Sequence, residues 1–135
     1  MNSAMTEYRV NQPLDAADVA RVFTASGIAR PTHDGPRIAR MLAGANLCVS
    51  AWVDRELVGV ARALTDHSYC CYLSDLAVVR AFQGRGIGRG LVQHVRQQLS
   101  DEVSLILLSA PAAMDYYPRL GFVQADNAFV IRRTV

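Results

Sequence analysis

The chain has 135 residues, of which 51% are hydrophobic and 19% charged, the size and apolar content of one compact domain and not of a disordered chain. Fourteen basic and twelve acidic residues leave a formal net charge of +2, with no block of like charge that would follow a nucleic-acid backbone, so nucleic acid is not an expected partner. No apolar run approaches the roughly 18 residues of a membrane-spanning helix, so no membrane partner is implied and a soluble, cytoplasmic protein is expected.

The N-terminus, MNSAMTEYRV, lacks the charged-then-apolar pattern of a signal peptide, and Met5 offers a second start, so residues 1–4 carry no structural weight. Glu7 to Val10 suits a short strand. Asp15 is a good N-cap for a helix over about 15–26, with Val19, Val22 and Phe23 on one face. Two glycines and two prolines between Gly27 and Pro36 mark a loop before Ile38, Met41 and Leu42 resume a helical stripe. Leu47–Val53 and Leu57–Leu64 read as an antiparallel hairpin across Asp54-Arg55-Glu56, and Tyr69–Val79 as a third, longer strand.

Cys70 and Cys71 are neighbours in that strand and would point to opposite faces, so with Cys48 they make no disulfide framework. His33, His67 and His94 stand in no metal-binding spacing, and no metal is expected. Ile87, Leu91, Val92, Val95 and Leu99 recur at helical intervals, with Arg89, Gln93, Arg96 and Gln97 opposite. Val103–Ser109 reads as a strand buried on both sides, and Ala112–Leu120 as a short helix closed by Gly121. A last strand pair fits within Phe122–Arg133. The order β-α-α-β-β-β-α-β-α-β implies a single α+β domain, α/β in looser usage. Its mixed central sheet is flanked by helices, and strand 69–79 pairs in parallel with 103–109 through the 87–99 crossover. No repeat or linker divides it.

The segment Gln83-Gly84-Arg85-Gly86-Ile87-Gly88-Arg89-Gly90 lies between a strand and the amphipathic helix. Unpaired backbone N–H groups at a helix start, reinforced by the helix dipole, form an anion site, and glycines let a phosphate approach the main chain. Arg85 and Arg89 add charge-assisted donors. A dinucleotide fingerprint fails in both registers, because Arg89 or Leu91 stands where its last glycine belongs. A P-loop fails because the chain has no lysine. The plainer alternative is a tight strand-to-helix turn that binds nothing.

The stretch Leu73–Leu91, LSDLAVVRAFQGRGIGRGL, resembles the acetyl-CoA motif of the GNAT acyltransferase superfamily, Q/R-x-x-G-x-G/A after a strand ending Leu-x-Val, with Gln83, Gly86 and Gly88 matching. Tyr116-Tyr-Pro-Arg-Leu-Gly-Phe122 is similar to that family's aromatic-Tyr-x-x-x-Gly-Phe signature, and Leu57–Asp66 looks like its third strand. The resemblance implies acetyl-CoA as co-substrate and N-acetylation of a small-molecule or peptide amine by direct attack. It gives the Leu76 N–H to the thioester carbonyl, the Leu76-Ala77-Val78 main chain to pantetheine, and the N–H groups from Gly84 through Arg85, Gly86, Ile87 and Gly88 to Arg89 to the pyrophosphate. Tyr117 matches the tyrosine that protonates the departing thiolate. The family often has asparagine where Ala110 stands, so a side-chain contact is not expected there. Pro118 loosens the turn beside Tyr117.

A primary amine is neutral in about one molecule in 2,500 at pH 7, so something must accept its proton. Relatives often place Glu or His at positions held here by Tyr72 and Ser74. Ser74 stays a candidate, and Asp75 leads by type, although strict alternation points it to the opposite face unless a β-bulge redirects it. His33 and Asp34 are candidates for the acceptor pocket. No cysteine suits a covalent intermediate. The alternative is a catalytically silent acyl-CoA-binding module. A homodimer is expected, with Phe129-Val-Ile131 offering a strand edge.

Overall fold

The computed structural model describes residues 5–135, and residues 1–4 lie outside it. Strands β1 (Glu7–Val10), β2 (Leu47–Val53), β3 (Glu56–Thr65), β4 (Cys70–Val78) and β5 (Ser104–Ile106) form one sheet in the order β1-β2-β3-β4-β5. The first four are an antiparallel meander and β5 runs parallel to β4. Helices α1 (Ala16–Ser26) and α2 (Gly35–Gly44) pack on one face and α3 (Ile87–Gln97) on the other. This is the expected α+β class with a mixed sheet between helices.

Local chemistry explains the helices. Asp15 caps α1 by accepting the Ala17 N–H at 3.1 Å, and Val19, Val22 and Phe23 are fully buried against Leu57, Val60 and Ala77. On α3 the large buried side chains are Ile87, Leu91, Val92 and Val95, with Gly88 and Gly90 buried beside them, while Arg89, Gln93, Arg96 and Gln97 face solvent. At about 1.5–3 kcal/mol per large side chain buried, that stripe fixes the rotation of α3. Gly90 lies under Tyr8 of β1, whose hydroxyl occupies the space of a β-carbon. Tyr8 also stacks on His94 at 4.3 Å between ring centroids, and His94 Nδ1 donates to the Gly90 carbonyl at 2.8 Å.

The C-terminal third departs from expectation. The strand over 103–109 shortens to Ser104–Ile106 and is not buried on both sides, because it is an edge whose Ser104 and Ile106 remain exposed. The expected helix 112–120 is instead two 3₁₀ turns, Pro111–Ala113 and Tyr117–Leu120. Pro111 and Pro118 each remove a donor from an already short segment. Gly121 does close it, at φ 96°. The strand pair within 122–133 does not form. Residues 122–135 run without regular structure and expose Val123, Phe129 and Ile131 by 92%, 96% and 100%, as expected of a hairpin with only a three-residue edge to join.

One irregularity in β4 changes which side chains face which helices. Opposite β3, Ala63 pairs with Leu73 and Arg62 with Asp75, which leaves Ser74 as the extra residue of a β-bulge. Cys71 and Leu73 face α3 before the bulge, whereas after it Asp75 and Ala77 face α1 and α2.

Candidate functional site

Beyond Tyr72 the strands β4 and β5 part, since their pairing ends at Tyr72 with Ile106. From Ser74 to Val78, β4 has a ladder partner on the β3 side only. The Val79 N–H donates to the Val58 carbonyl at 2.9 Å, so by alternation Leu76 and Val78 turn their main-chain groups toward the side β5 has left. The Val78 carbonyl is taken by Gln83 Nε2 at 2.8 Å.

A cleft of about 600 Å³ fills that opening. Its wall on one side is Leu76, Val78, Phe82, Gln83, Gly84, Gly86 and the first turn of α3, Ile87 to Arg89; on the other it is Ala113, Tyr116, Tyr117, Arg119 and Leu120. Gly84 and Gly86 hold φ of 80° and 82°, the left-handed region that glycine enters without strain. Gly86 is the N-cap of α3 and offers no side chain to its free N–H groups. Those donors therefore remain available to an anion in the cleft. Gly88 accommodates the Tyr116 hydroxyl where a β-carbon would stand. Arg89 is braced by the Arg119 carbonyl at 3.0 Å.

Tyr117 lies half-buried, edge-on to Tyr116 and Phe122. Burial raises its phenol above the ordinary value, Tyr116 adds to that, and the Arg30 charge opposes it. The phenol thus holds its proton at neutral pH and can donate it. Of the residues singled out from sequence, Leu76, Val78, Gln83, Gly84, Gly86, Ile87, Gly88, Arg89 and Tyr117 meet at the cleft. Ala77 points instead into the α1–α2 core, and Arg85 lies over the Phe82 ring at 4.9 Å.

The two candidate proton acceptors are placed otherwise. Asp75 has a side chain with 0% exposure, and its two carboxylate oxygens accept from Arg30 Nε and Arg62 Nε. Arg62 also donates to Ser74 Oγ at 2.9 Å and to the Met41 carbonyl at 3.2 Å. Arg30 donates to the Ser74 carbonyl at 2.8 Å. The bulge does redirect Asp75, but into a pair of guanidinium groups, so it is not free to take a proton from a substrate. Ser74 is clamped in the same cluster. Asp34 is the N-cap of α2, accepting the Arg37 N–H at 3.1 Å, and His33 is exposed. Tyr116 enters the sequence reading only as the aromatic position of its motif, with no role of its own, whereas Arg119, Arg30 and Arg62 escape it: Arg119 fills a variable position of the same motif, and Arg30 lies in a loop whose path no periodicity sets.

No cysteine lines the cleft. Cys48 is pushed up to about 11 by burial, and burial also raises Cys71, so neither is a ready thiolate. Among the described residues no group of three or more His, Cys, Asp or Glu could hold a metal, and no helix is long and apolar enough to cross a membrane. A second hollow of about 420 Å³, between the β1–α1 loop, α2 and β2, has no charged side chain on its walls.

Residues 19–132 match the family described as an acetyltransferase (GNAT) domain. GCN5-related N-acetyltransferase 2, chloroplastic, of Arabidopsis thaliana is 37% identical over 75 residues, which are 54% of this chain and 29% of that protein. The chain thus matches under a third of that relative's length. A GNAT-family acetyltransferase of Streptococcus pneumoniae superposes with a TM-score of 0.74 at 19% identity, covering 96% of this chain and 99% of that one. An aminoglycoside N-acetyltransferase solved in complex with CoA superposes with a TM-score of 0.73 at 16% identity, over 99% and 98% of the two chains. At these identities the two structures are alike in fold.

Proposed function

The chain belongs to the GNAT acetyltransferase family, and on that premise we propose that its 135 residues form one domain that transfers an acetyl group from acetyl-CoA to a primary amine by direct attack in a ternary complex. One observation carries this reading. The splayed edge of β4, the glycine turn with the free N–H groups of α3, and the Tyr117 phenol all line a single cleft.

In this reading the pyrophosphate lies on the N–H groups of residues 84–89, and the Leu76 N–H donates to the thioester carbonyl. The neutral amine attacks the carbonyl carbon to give a tetrahedral adduct with a protonated nitrogen and an oxyanion. The C–S bond then breaks. Tyr117 gives its proton to the thiolate, and the phenolate is restored by the proton that the nitrogen loses. A phenol raised above about 10 beside a thiol of ordinary pKa about 8.5 leaves the donor in its acid form throughout the neutral range. With Asp75 and Ser74 engaged elsewhere, the ammonium's first proton leaves through cleft water.

Calorimetric titration should show acetyl-CoA binding selectively over ATP and NAD. Tyr117→Phe should bind it comparably and release CoA thiol in the presence of amines about 10²–10⁴-fold more slowly than wild type. Failure of acetyl-CoA, CoA and longer acyl-CoAs to bind would refute the reading. Binding without turnover of any amine would favour a silent acyl-CoA-binding module.

The reading extends to a homodimer, supported by the uncovered apolar side chains of Phe129 and Ile131. Sedimentation should give twice the 14.8 kDa chain mass, and Phe129→Asp with Ile131→Asp should return a monomer. A monomeric wild type would discard the dimer.

A further inference from the structure

The sheet face toward α1 and α2 carries three successive cross-strand rows. Val60 pairs with Ala77, Arg62 with Asp75, and Leu64 with Tyr72, which in turn pairs with Ile106. The first row is buried under the helices. The third is uncovered, with Leu64, Tyr72 and Ile106 exposed by 42%, 39% and 51%. The middle row, at the boundary, is charged.

That middle row is one anion short. Asp75 is the only carboxylate paired with Arg30 or Arg62 among the described residues, so two guanidinium groups share one negative charge. The excess reaches solvent through Arg30, whose side chain is 27% exposed against 10% for Arg62. Of the five N–H donors of a guanidinium, Arg30 commits three, to Asp75, to the Ser74 carbonyl and to the Ala29 carbonyl. Two remain. Its position is fixed by Ser74 and Asp75, the residues that directly precede Leu76, and its charge is felt at Tyr117. Arg30 therefore stands between the uncovered apolar row and the place where the acetyl group would be held.

We propose that Arg30 binds a carboxylate of the acceptor, so that the substrate is a small amine carrying both a carboxylate and an apolar group, the latter lying on the Leu64–Tyr72–Ile106 row. The acceptor's carboxylate completes the cluster to two cations and two anions. Asp75 and Arg62 act as positioning residues that hold the Arg30 fork. The inference rests on the acetyl-transfer reading of the cleft.

The test uses the protein–CoA complex and product-like probes, the N-acetyl derivatives of phenylalanine, leucine and tryptophan, each against its carboxamide. Calorimetry should show at least one acid binding about ten- to a hundredfold tighter than its amide, the range expected of charge-assisted hydrogen bonds. Arg30→Gln should bring that ratio close to one by weakening the acid alone. Arg30→Lys, which keeps the charge without the fork, should retain part of it. Asp75 keeps Arg62 in both variants, so both should melt near wild type. Equal binding of acid and amide across the panel, binding of neither, or a ratio that survives in Arg30→Gln overturns the proposal. Thiol release separates the two readings. Acetyl transfer to uncharged amines as readily as to their carboxylated counterparts leaves the transferase standing and removes the carboxylate site. Absence of acetyl-CoA binding removes both.

Discussion

Replacing Asp75 by Asn is expected to lower the melting temperature by on the order of 10–20 °C. The carboxylate is wholly buried and is the shared acceptor of two arginines, one of them only 10% exposed. Asparagine has the same shape but no charge, and its amide nitrogen would face a guanidinium donor. Removing one partner of a buried ion pair costs about 3–5 kcal/mol because the other charge is left desolvated, against a total stability of about 5–15 kcal/mol for a domain. Most of that penalty falls on Arg62, since Arg30 can swing into water. The double substitution Asp75→Leu with Arg62→Met should recover much of the loss, because a buried pair replaced by apolar groups of similar volume is often neutral. Thermal melts followed by circular dichroism decide the matter: an Asn variant within about two degrees of wild type would mean the cluster does not hold the sheet together.

The same cluster shows where sequence reasoning stops. The α3 stripe and the glycine turn are local, since a 3.6-residue apolar period and two glycines before a helix act within about ten residues. The bulge at Ser74 is not local. It is one unpaired residue in a register set by β3, and the side that Asp75 faces depends on it. Type alone makes Asp75 the leading proton acceptor. Its partners come from β3 and from a glycine- and proline-rich loop 45 residues earlier, which no pattern within β4 could reveal. The two arginines grip the bulge through Asp75 and both Ser74 oxygens, so they steady the stretch of β4 that carries Leu76. Residues 122–133 are hard to read for a related reason. Their apolar alternation suits strands, but a strand needs a partner, and β5 supplies only three residues.

Gly86→Glu is expected to abolish acetyl-CoA binding while leaving the fold nearly intact. At φ 82° any L-residue is strained, by about 1–2 kcal/mol, but a β-carbon there meets nothing within 4 Å. A carboxylate at the start of α3 would itself gain about 0.3–1 kcal/mol from the helix dipole, which offsets part of the strain. The effect on binding is larger, because the new charge competes for the same N–H groups as the pyrophosphate. Two like charges about 4 Å apart near a protein surface repel by about 4 kcal/mol, roughly a thousandfold in affinity. Gly86→Ala supplies the comparison, since it keeps the strain and omits the charge, and its dissociation constant should rise only several-fold. If calorimetry finds Glu and Ala equally impaired, the requirement at this position is for backbone conformation and not for an empty anion seat. If Glu binds as wild type does, the pyrophosphate does not lie on the first turn of α3, and the assignment of the cleft falls with it.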